Sequence, residues 1–330
     1  MADRYVAVHQ AASGPGDSRP TAIQIIQDEQ LQGELSGLTA LITGCSSGIG
    51  VESVKALHLA GATLYLTARN LSKARTALGE LVESDRVHLL HLGLESFDSV
   101  RACADNFLSQ SNTLNILMLS AGVMTPPEGR TKDGFETQFG TNHLSHFLLF
   151  NLLQPALLAG ASTAQRCSRV IVLSSVAHCF GEVNFDDVNF EGHYDAMATY
   201  AQSKTANLWT ANEIERRYGA QGIHAWSVQP GAVQTDLARH MSSEEQQGMA
   251  SDPFLSKIFK NPQQGASTSI WGATAAALEG KGGKYLEDCQ IVPEWTADKG
   301  LWGPGYGAHA YDVDKAKKLW DKSIEWVGLH

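Results

Sequence analysis

Thr43-Gly44-Cys45-Ser46-Ser47-Gly48-Ile49-Gly50 is the stretch on which the fold turns. A short apolar, β-branched run at residues 39–43 precedes it, and residues with helical periodicity follow from Val51. It therefore reads as a strand, a tight turn and a helix in succession. Glycine suits such a turn because a side chain would keep an anion away from the backbone N–H groups and the positive end of the helix. The spacing, Gly-x-x-x-Gly-x-Gly, departs from the Gly-x-Gly-x-x-Gly dinucleotide fingerprint. A turn that uses glycine for conformation alone would look the same locally. On the phosphate reading, the contacts are Gly44, Ser46, Ser47, Gly48, Ile49 and Gly50.

Outward from this loop, short apolar runs alternate with longer amphipathic stretches, the pattern of βαβ units feeding a parallel sheet. Residues 39–43, 63–67, 87–92, 115–120, 169–174 and 224–228 read as strands, with a seventh near Tyr285. Helices are expected at 51–60, closed by Gly61, and at 97–110, capped by Ser96, with Asn70 capping another. Two long ones fall at 135–158 and 199–218, and one starts at Pro262 and runs to about Leu278. Right-handed crossovers then give an α/β, Rossmann-type, doubly wound and mostly parallel seven-stranded sheet with helices on both faces. Residues 1–35 read as a tail or surface arm, because 12–21 is rich in Gly, Ser and Pro, and residues 36–330 as one domain.

Bulk composition narrows the function. Of 330 residues, 43% are hydrophobic and 18% charged, enough apolar content for a large core. The net charge of -10 argues against a nucleic-acid partner, which needs clustered Lys and Arg. Five cysteines without regular spacing argue against a disulfide framework. Residues 1–30 hold no apolar run long enough for a membrane span or a signal peptide, so a cytoplasmic protein is expected.

The end of the second strand reads Thr67-Ala68-Arg69-Asn70. An acidic residue there would hold ribose hydroxyls, whereas Arg69 suits a 2′-phosphate, which favours NADP(H) and leaves NAD(H) as the alternative. Tyr200 and Lys204 stand at i and i+4, on one helix face. Lowering a tyrosine pKa by ~3 units takes ~4 kcal/mol of phenolate stabilisation, which a neighbouring ammonium in a dry site can supply. Alone, such a pair is most often a surface pair. This one opens the helix after a strand ending Val172-Leu173-Ser174-Ser175, at the sheet edge where ligands of open α/β folds bind.

With Thr43-Gly44-x-x-x-Gly48-Ile49-Gly50, Ser120-Ala121-Gly122, Asn142, Ser175, Tyr200/Lys204 and Pro230-Gly231 in order, the chain resembles the short-chain dehydrogenase/reductase family over residues 37–278. The resemblance implies a nicotinamide-dependent oxidoreductase. Tyr200 would be the proton donor or acceptor, Ser175 would bind the substrate oxygen and Lys204 would lower the tyrosine pKa and hold the cofactor ribose. Asn142 would hold a relay water. Ser174 is left as a structural hydroxyl. Ser120, Ala121, Gly122, Pro230, Gly231, Val233 and Thr235 would contact the cofactor. Where the family has Asp-Leu for adenine this chain has Gly93-Leu94, so only Leu94 remains, and Leu119-Ser120-Ala121-Gly122 replaces Asn-Asn-Ala-Gly.

The long insert before Tyr200, Asn142-His143-Leu144 and the C-terminal extension at about 285–330 are most similar to the retinol dehydrogenase and WW-domain oxidoreductase branch, including its soluble fungal relatives. That implies a lipophilic ketone, aldehyde or secondary alcohol. Val176, His178, Phe180, Tyr194 and Met197 are candidate pocket walls, with Met241 in a substrate loop at about 236–262, although each serves equally as packing. His143 and His146 lack further ligands for a metal, and none is expected. An epimerase or dehydratase retaining NAD, and a non-catalytic NADP(H)-sensing module, are the alternatives. Monomer, homodimer and homotetramer all remain open.

Overall fold

A computed structural model describes residues 4–164, 166–300 and 302–329. Its strands are β1 (Thr39–Thr43), β2 (Thr63–Ala68), β3 (Val87–His91), β4 (Ile116–Leu119), β5 (Ser168–Leu173), β6 (Ile223–Gln229), β7 (Lys284–Glu287) and β8 (Gln290–Ile291). They form one sheet in the order β3-β2-β1-β4-β5-β6-β7-β8. The first seven run parallel, with β1 paired to β2 on one side and β4 on the other. The Rossmann-type sheet expected from the alternating pattern is therefore present, with one strand more than the seven expected. That strand returns through Asp288 and Cys289, both at positive φ, the two-residue hairpin geometry usually signalled by Asn-Gly and here carrying no such signal.

The helices are α1 (Val6–Gln10), α2 (Ala22–Asp28), α3 (Gly48–Leu59), α4 (Leu71–Leu78), α5 (Phe97–Leu108), α6 (Ser145–Ala164), α7 (Ala196–Tyr218), α8 (Ser243–Ser251), α9 (Leu255–Ile258), α10 (Pro262–Gly265), α11 (Ser267–Thr274) and α12 (Val313–Trp326). Asn70, Ser96 and Asp195 cap α4, α5 and α7 by accepting from backbone N–H groups of the first turn. The helix expected from Pro262 breaks after Gly265 into α10 and α11.

Two apolar layers cover the sheet. On one side α5, α6, α7 and α12 bury Phe107, Phe147, Leu208, Trp209 and Trp320. On the other α2, α3 and α11 bury Ile25, Ile26, Val54, Leu57, Ile270 and Trp271. The helix expected from residue 135 begins at Phe139, and its first six residues, Phe139–Leu144, form a π turn, a wider coil that often marks functional sites. The whole helix Phe139–Ala164 is long and apolar enough to cross a membrane by length and composition. Its apolar residues, among them Phe147, Leu148, Phe150, Leu153 and Leu157, are buried in the core, which accounts for that hydropathy.

Gly160 lets α6 press on the sheet. A Cβ there would lie 2.1 Å from the backbone oxygen of Leu114, so the helix would have to move. Gly160→Ala is expected to destabilise the fold by about 1–3 kcal/mol, the usual cost of overpacking, read as a lower urea midpoint at unchanged m-value.

Candidate active site

Strand order reverses between β1 and β4, and in open α/β sheets the crevice outside the carboxyl ends at such a switch point is where ligands bind. Thr43, the last residue of β1, joins the two loops. Its hydroxyl oxygen accepts from the N–H groups of Ser120 (2.8 Å) and Ala121 (3.0 Å). The glycine loop is tied to the next strand through Gly44 and Cys45 N–H, which donate to Thr67 O. Gly44 has φ +82°, and a Cβ there would meet Ala121 Cα at 2.9 Å; a Cβ on Gly50 would lie 2.2 Å from Gly44 O. Ser47 precedes α3 without capping it, so the first N–H groups of α3 have no side-chain acceptor. A narrow glycine turn against an uncapped helix start fits a dinucleotide pyrophosphate. Cys45, inside this loop, is buried, and burial pushes its thiol up to about 12.

Arg69 is exposed just past β2, beside the glycine loop that β2 holds. Leu94 is buried and its carbonyl accepts from Ser145 Oγ at 2.6 Å. Thr235 and Val233 close over the loop from the far side. Thr235 Cγ2 would meet a Cβ on Gly48 at 3.0 Å, and a Cβ on Gly265 would meet both Val233 (2.6 Å) and Ile49 (2.9 Å). Pro230 and Gly231 follow β6, Gly231 at φ +98° against the Lys260 side chain.

Across the crevice, Tyr200 and Lys204 lie on α7, Ser175 just beyond β5 and Asn142 in the π turn. The Lys204 ammonium is 5.4 Å from the centre of the Tyr200 ring and donates to Leu173 O at 3.2 Å. A Cβ on Gly122 would lie 3.1 Å from Asn142 Oδ1 and 3.8 Å from Lys204 Nζ, so Gly122, Asn142 and Lys204 converge. Ser175 acts on the Tyr200 phenol in the direction that lowers its pKa, and its own hydroxyl accepts from Ala177 N at 3.2 Å. Ser174 turns away and donates to Lys204 O at 2.8 Å.

Two features differ from the sequence reading. The phenol of Tyr200 is pushed up to about 12 by burial, against which Ser175 acts, where a depression by Lys204 is expected. Lys204 itself is lowered to about 8 by burial. The Asn142 amide is committed: Oδ1 accepts from Val123 N at 2.9 Å, and Nδ2 donates to Val123 O and to Ser203 Oγ. A proton relay through Asn142 is left with its main-chain carbonyl, one lone pair of which faces His146 Nδ1 at 3.0 Å.

His143 and His146 are buried in hydrogen bonds. His146 Nε2 lies 3.0 Å from Thr43 Oγ1 and His143 Nε2 lies 2.9 Å from Ser323 Oγ, and burial lowers them to about 4 and about 3. Among the described residues no cluster of His, Cys, Asp and Glu could hold a metal. His146 is thus a brace between β1 and the π turn, which sequence weighed only as half of a metal pair. Ser203, which holds the Asn142 amide, was missed, although its place between Tyr200 and Lys204 was a signal.

The expected pocket walls separate. Val176 is half-buried beside Ser175, and Tyr194 donates to Pro126 O at 2.7 Å, at the start of the insert between β4 and the π turn. Met241 is half-buried in the loop before α8. His178 is fully buried: Nδ1 faces Ser175 O at 2.6 Å and Nε2 accepts from Gly307 N at 2.9 Å. With both nitrogens bound to backbone, it buttresses the Ser175 turn against the C-terminal segment and forms no wall.

Residues 38–246 match the short chain dehydrogenase family. The chain is 43% identical to the short-chain dehydrogenase/reductase prx1 of Penicillium roqueforti, over 99% of this chain and 95% of that one. It is 35% identical to human retinol dehydrogenase 11, over 90% of this chain and 87% of that one. A crystal structure of an uncharacterised protein from Mycobacterium paratuberculosis superposes with a TM-score of 0.68 at 28% identity, covering 96% of this chain and 99% of that one. A match over more than half of the sequence, joined to this identity along nearly all of it, turns the resemblance of the motifs into membership: the chain belongs to the short-chain dehydrogenase/reductase family of oxidoreductases.

Proposed function

We propose that this protein reduces a ketone or aldehyde on a lipophilic small molecule with NADPH, Tyr200 giving the proton. The carrying observation is that Tyr200, Ser175, Lys204 and Asn142 gather on the far side of the crevice from the glycine loop. A nicotinamide held there would supply the hydride to the carbonyl carbon. A carbonyl oxygen placed between the hydroxyls of Ser175 and Tyr200 would accept two hydrogen bonds as negative charge develops on it.

Burial that keeps the Tyr200 phenol protonated favours reduction. An alkoxide is a stronger base than a phenolate, so the proton moves from Tyr200 to the new alcohol, whereas oxidation would need Tyr200 ionised first. Lys204, lowered to about 8 and 5.4 Å from the centre of the Tyr200 ring, would hold the ribose hydroxyls and help to return the proton. A lipophilic substrate is supported by large apolar side chains left exposed around Ser175 and Tyr200. Phe180 ends the turn after Ser175 and packs edge-on to Trp302, and Met197 precedes Tyr200 by one helical turn.

Purified protein assayed with NADPH against a panel of lipophilic ketones and aldehydes tests this. Consumption of NADPH with alcohol formed is expected. Tight cofactor binding without turnover across the panel would instead favour a cofactor-sensing module. Cofactor choice has its own check. Arg69→Ala is expected to weaken NADPH binding by about tenfold or more, the loss of a charge-assisted contact, while NADH affinity stays unchanged. Equal binding of both cofactors by the unaltered protein would overturn the NADPH preference.

A further inference from the structure

The residues after β6 have little core of their own. Between Gln229 and Leu255 no side chain is buried, and α8 buries none. A segment with so few buried contacts opens at little free-energy cost, so its position depends on how its two ends are tied. The front end is lightly held: the exposed Lys73 and Asp236 pair at 3.0 Å, an interaction of at most about 1 kcal/mol in water.

The rear end is held by the N-terminal arm. Arg19 is 3% exposed, and its guanidinium donates to Ile258 O (2.8 Å), Phe259 O (2.6 Å), Lys257 O (3.3 Å) and Gly14 O (3.0 Å). These include carbonyls at the end of α9, which a four-residue helix leaves without intrahelical partners. Nε donates to Asp17 Oδ1 at 2.8 Å. Burial acts to raise the Asp17 carboxyl, yet hydrogen bonds from Arg19 and Ser13 hold it at about 2. Gln264 accepts from Gly16 N and donates to Arg19 O, closing the frame.

The next residue passes this anchoring to the crevice. Lys260 N donates to Ala232 O at 2.8 Å and Lys260 O accepts from Gln234 N at 3.1 Å, pairing the loop's rear with the segment that carries Gly231, Val233 and Thr235. Lys260 Nζ donates to Pro230 O (3.1 Å) and to Asp288 (2.7 Å), beside which His9 of α1 lies. A buried guanidinium with five acceptors is an unneeded expense for a mere tail.

We infer that Arg19 is a positioning residue: it fixes the pivot of the 236–262 loop, so the N-terminal arm sets how tightly the loop and the 230–235 segment close on cofactor and substrate. This rests on reading 236–262 as the loop that closes over a bound cofactor. The test compares the full chain with Arg19→Ala and Arg19→Lys by amide hydrogen exchange, by NADPH binding and by steady-state kinetics. In Arg19→Ala, exchange at residues 230–235 and 255–264 is expected to rise about tenfold or more, with the β1–β6 sheet unchanged. NADPH affinity and substrate KM should worsen about tenfold and kcat much less, as befits lost charged hydrogen bonds remote from the reacting atoms. Arg19→Lys, which keeps the charge without the fork, should fall between. Unchanged exchange at 230–235, or a rise spread over the whole sheet with affinity of the folded protein intact, would overturn the inference and leave the arm as scaffold. Failure of NADPH to bind or to protect residues 44–50 in the unaltered protein would instead overturn the cofactor reading beneath it.

Discussion

Replacing Tyr200 by phenylalanine is expected to lower kcat for carbonyl reduction by about 10³-fold, inside the range of general acid–base catalysis, with the fold and NADPH affinity retained. The ring is 5% exposed and packed into the start of α7, so phenylalanine fills the same volume. Ser175, on which the lost hydroxyl acts, keeps its partner in the N–H of Ala177. What disappears is the proton source. Since burial holds the phenol up at about 12, Tyr200 stays in the proton-donating form from pH 6 to 9, and its own ionisation imposes no fall in reduction rate there. Single-turnover absorbance with saturating NADPH reads the chemical step directly. A variant within tenfold of the original would mean that another group delivers the proton.

Lys204→Met is expected to inactivate the protein and to stabilise it at neutral pH. Burial lowers Lys204 from 10.5 to about 8. A lysine whose folded pKa lies below its unfolded one binds its proton less well in the fold. The penalty is therefore complete below pH 8 and fades as pH rises towards 10.5. A shift of this size corresponds to about 3 kcal/mol, good to about one. Methionine has the length and flexibility to fill the space, and Leu173 O keeps the Asn207 amide as donor at 2.8 Å. Urea unfolding should give the variant an advantage of about 1–3 kcal/mol at pH 7 that falls below about 1 kcal/mol at pH 10, beside a loss of at least about 100-fold in kcat/KM. Lower stability of the variant at pH 7 would show that the bond to Leu173 outweighs burial.

The parts of the structure that were legible in the sequence are those encoded locally. β1 is apolar on both faces and ends in a glycine turn, so TALIT and its successor could be placed without knowing any partner. The caps at Asn70 and Ser96 work over three residues and were equally visible. The direction of the Tyr200 shift was not, because spacing puts a lysine beside it but says nothing of how deeply both are buried. His178 misled for the same reason: a histidine among apolar residues suits a pocket wall as well as a buttress until Gly307, 129 residues away, is seen donating to it. The N-terminal arm was least legible, since glycine, serine and proline at 12–21 look alike in a tail and in a segment whose anchoring contacts, at residues 257–264, are distant.

That distance orders the assembly of the molecule in time. Arg19 precedes the whole sheet in the chain, yet its acceptors at Ile258 and Phe259 are 239 and 240 positions later. Contacts of such separation come late, because the loop they close must be paid for first. The glycine turn and the strands around it, joined by neighbours in sequence, can form while synthesis continues. The arm must wait for its distant partners until residue 264 exists, so a segment translated before the sheet docks after it.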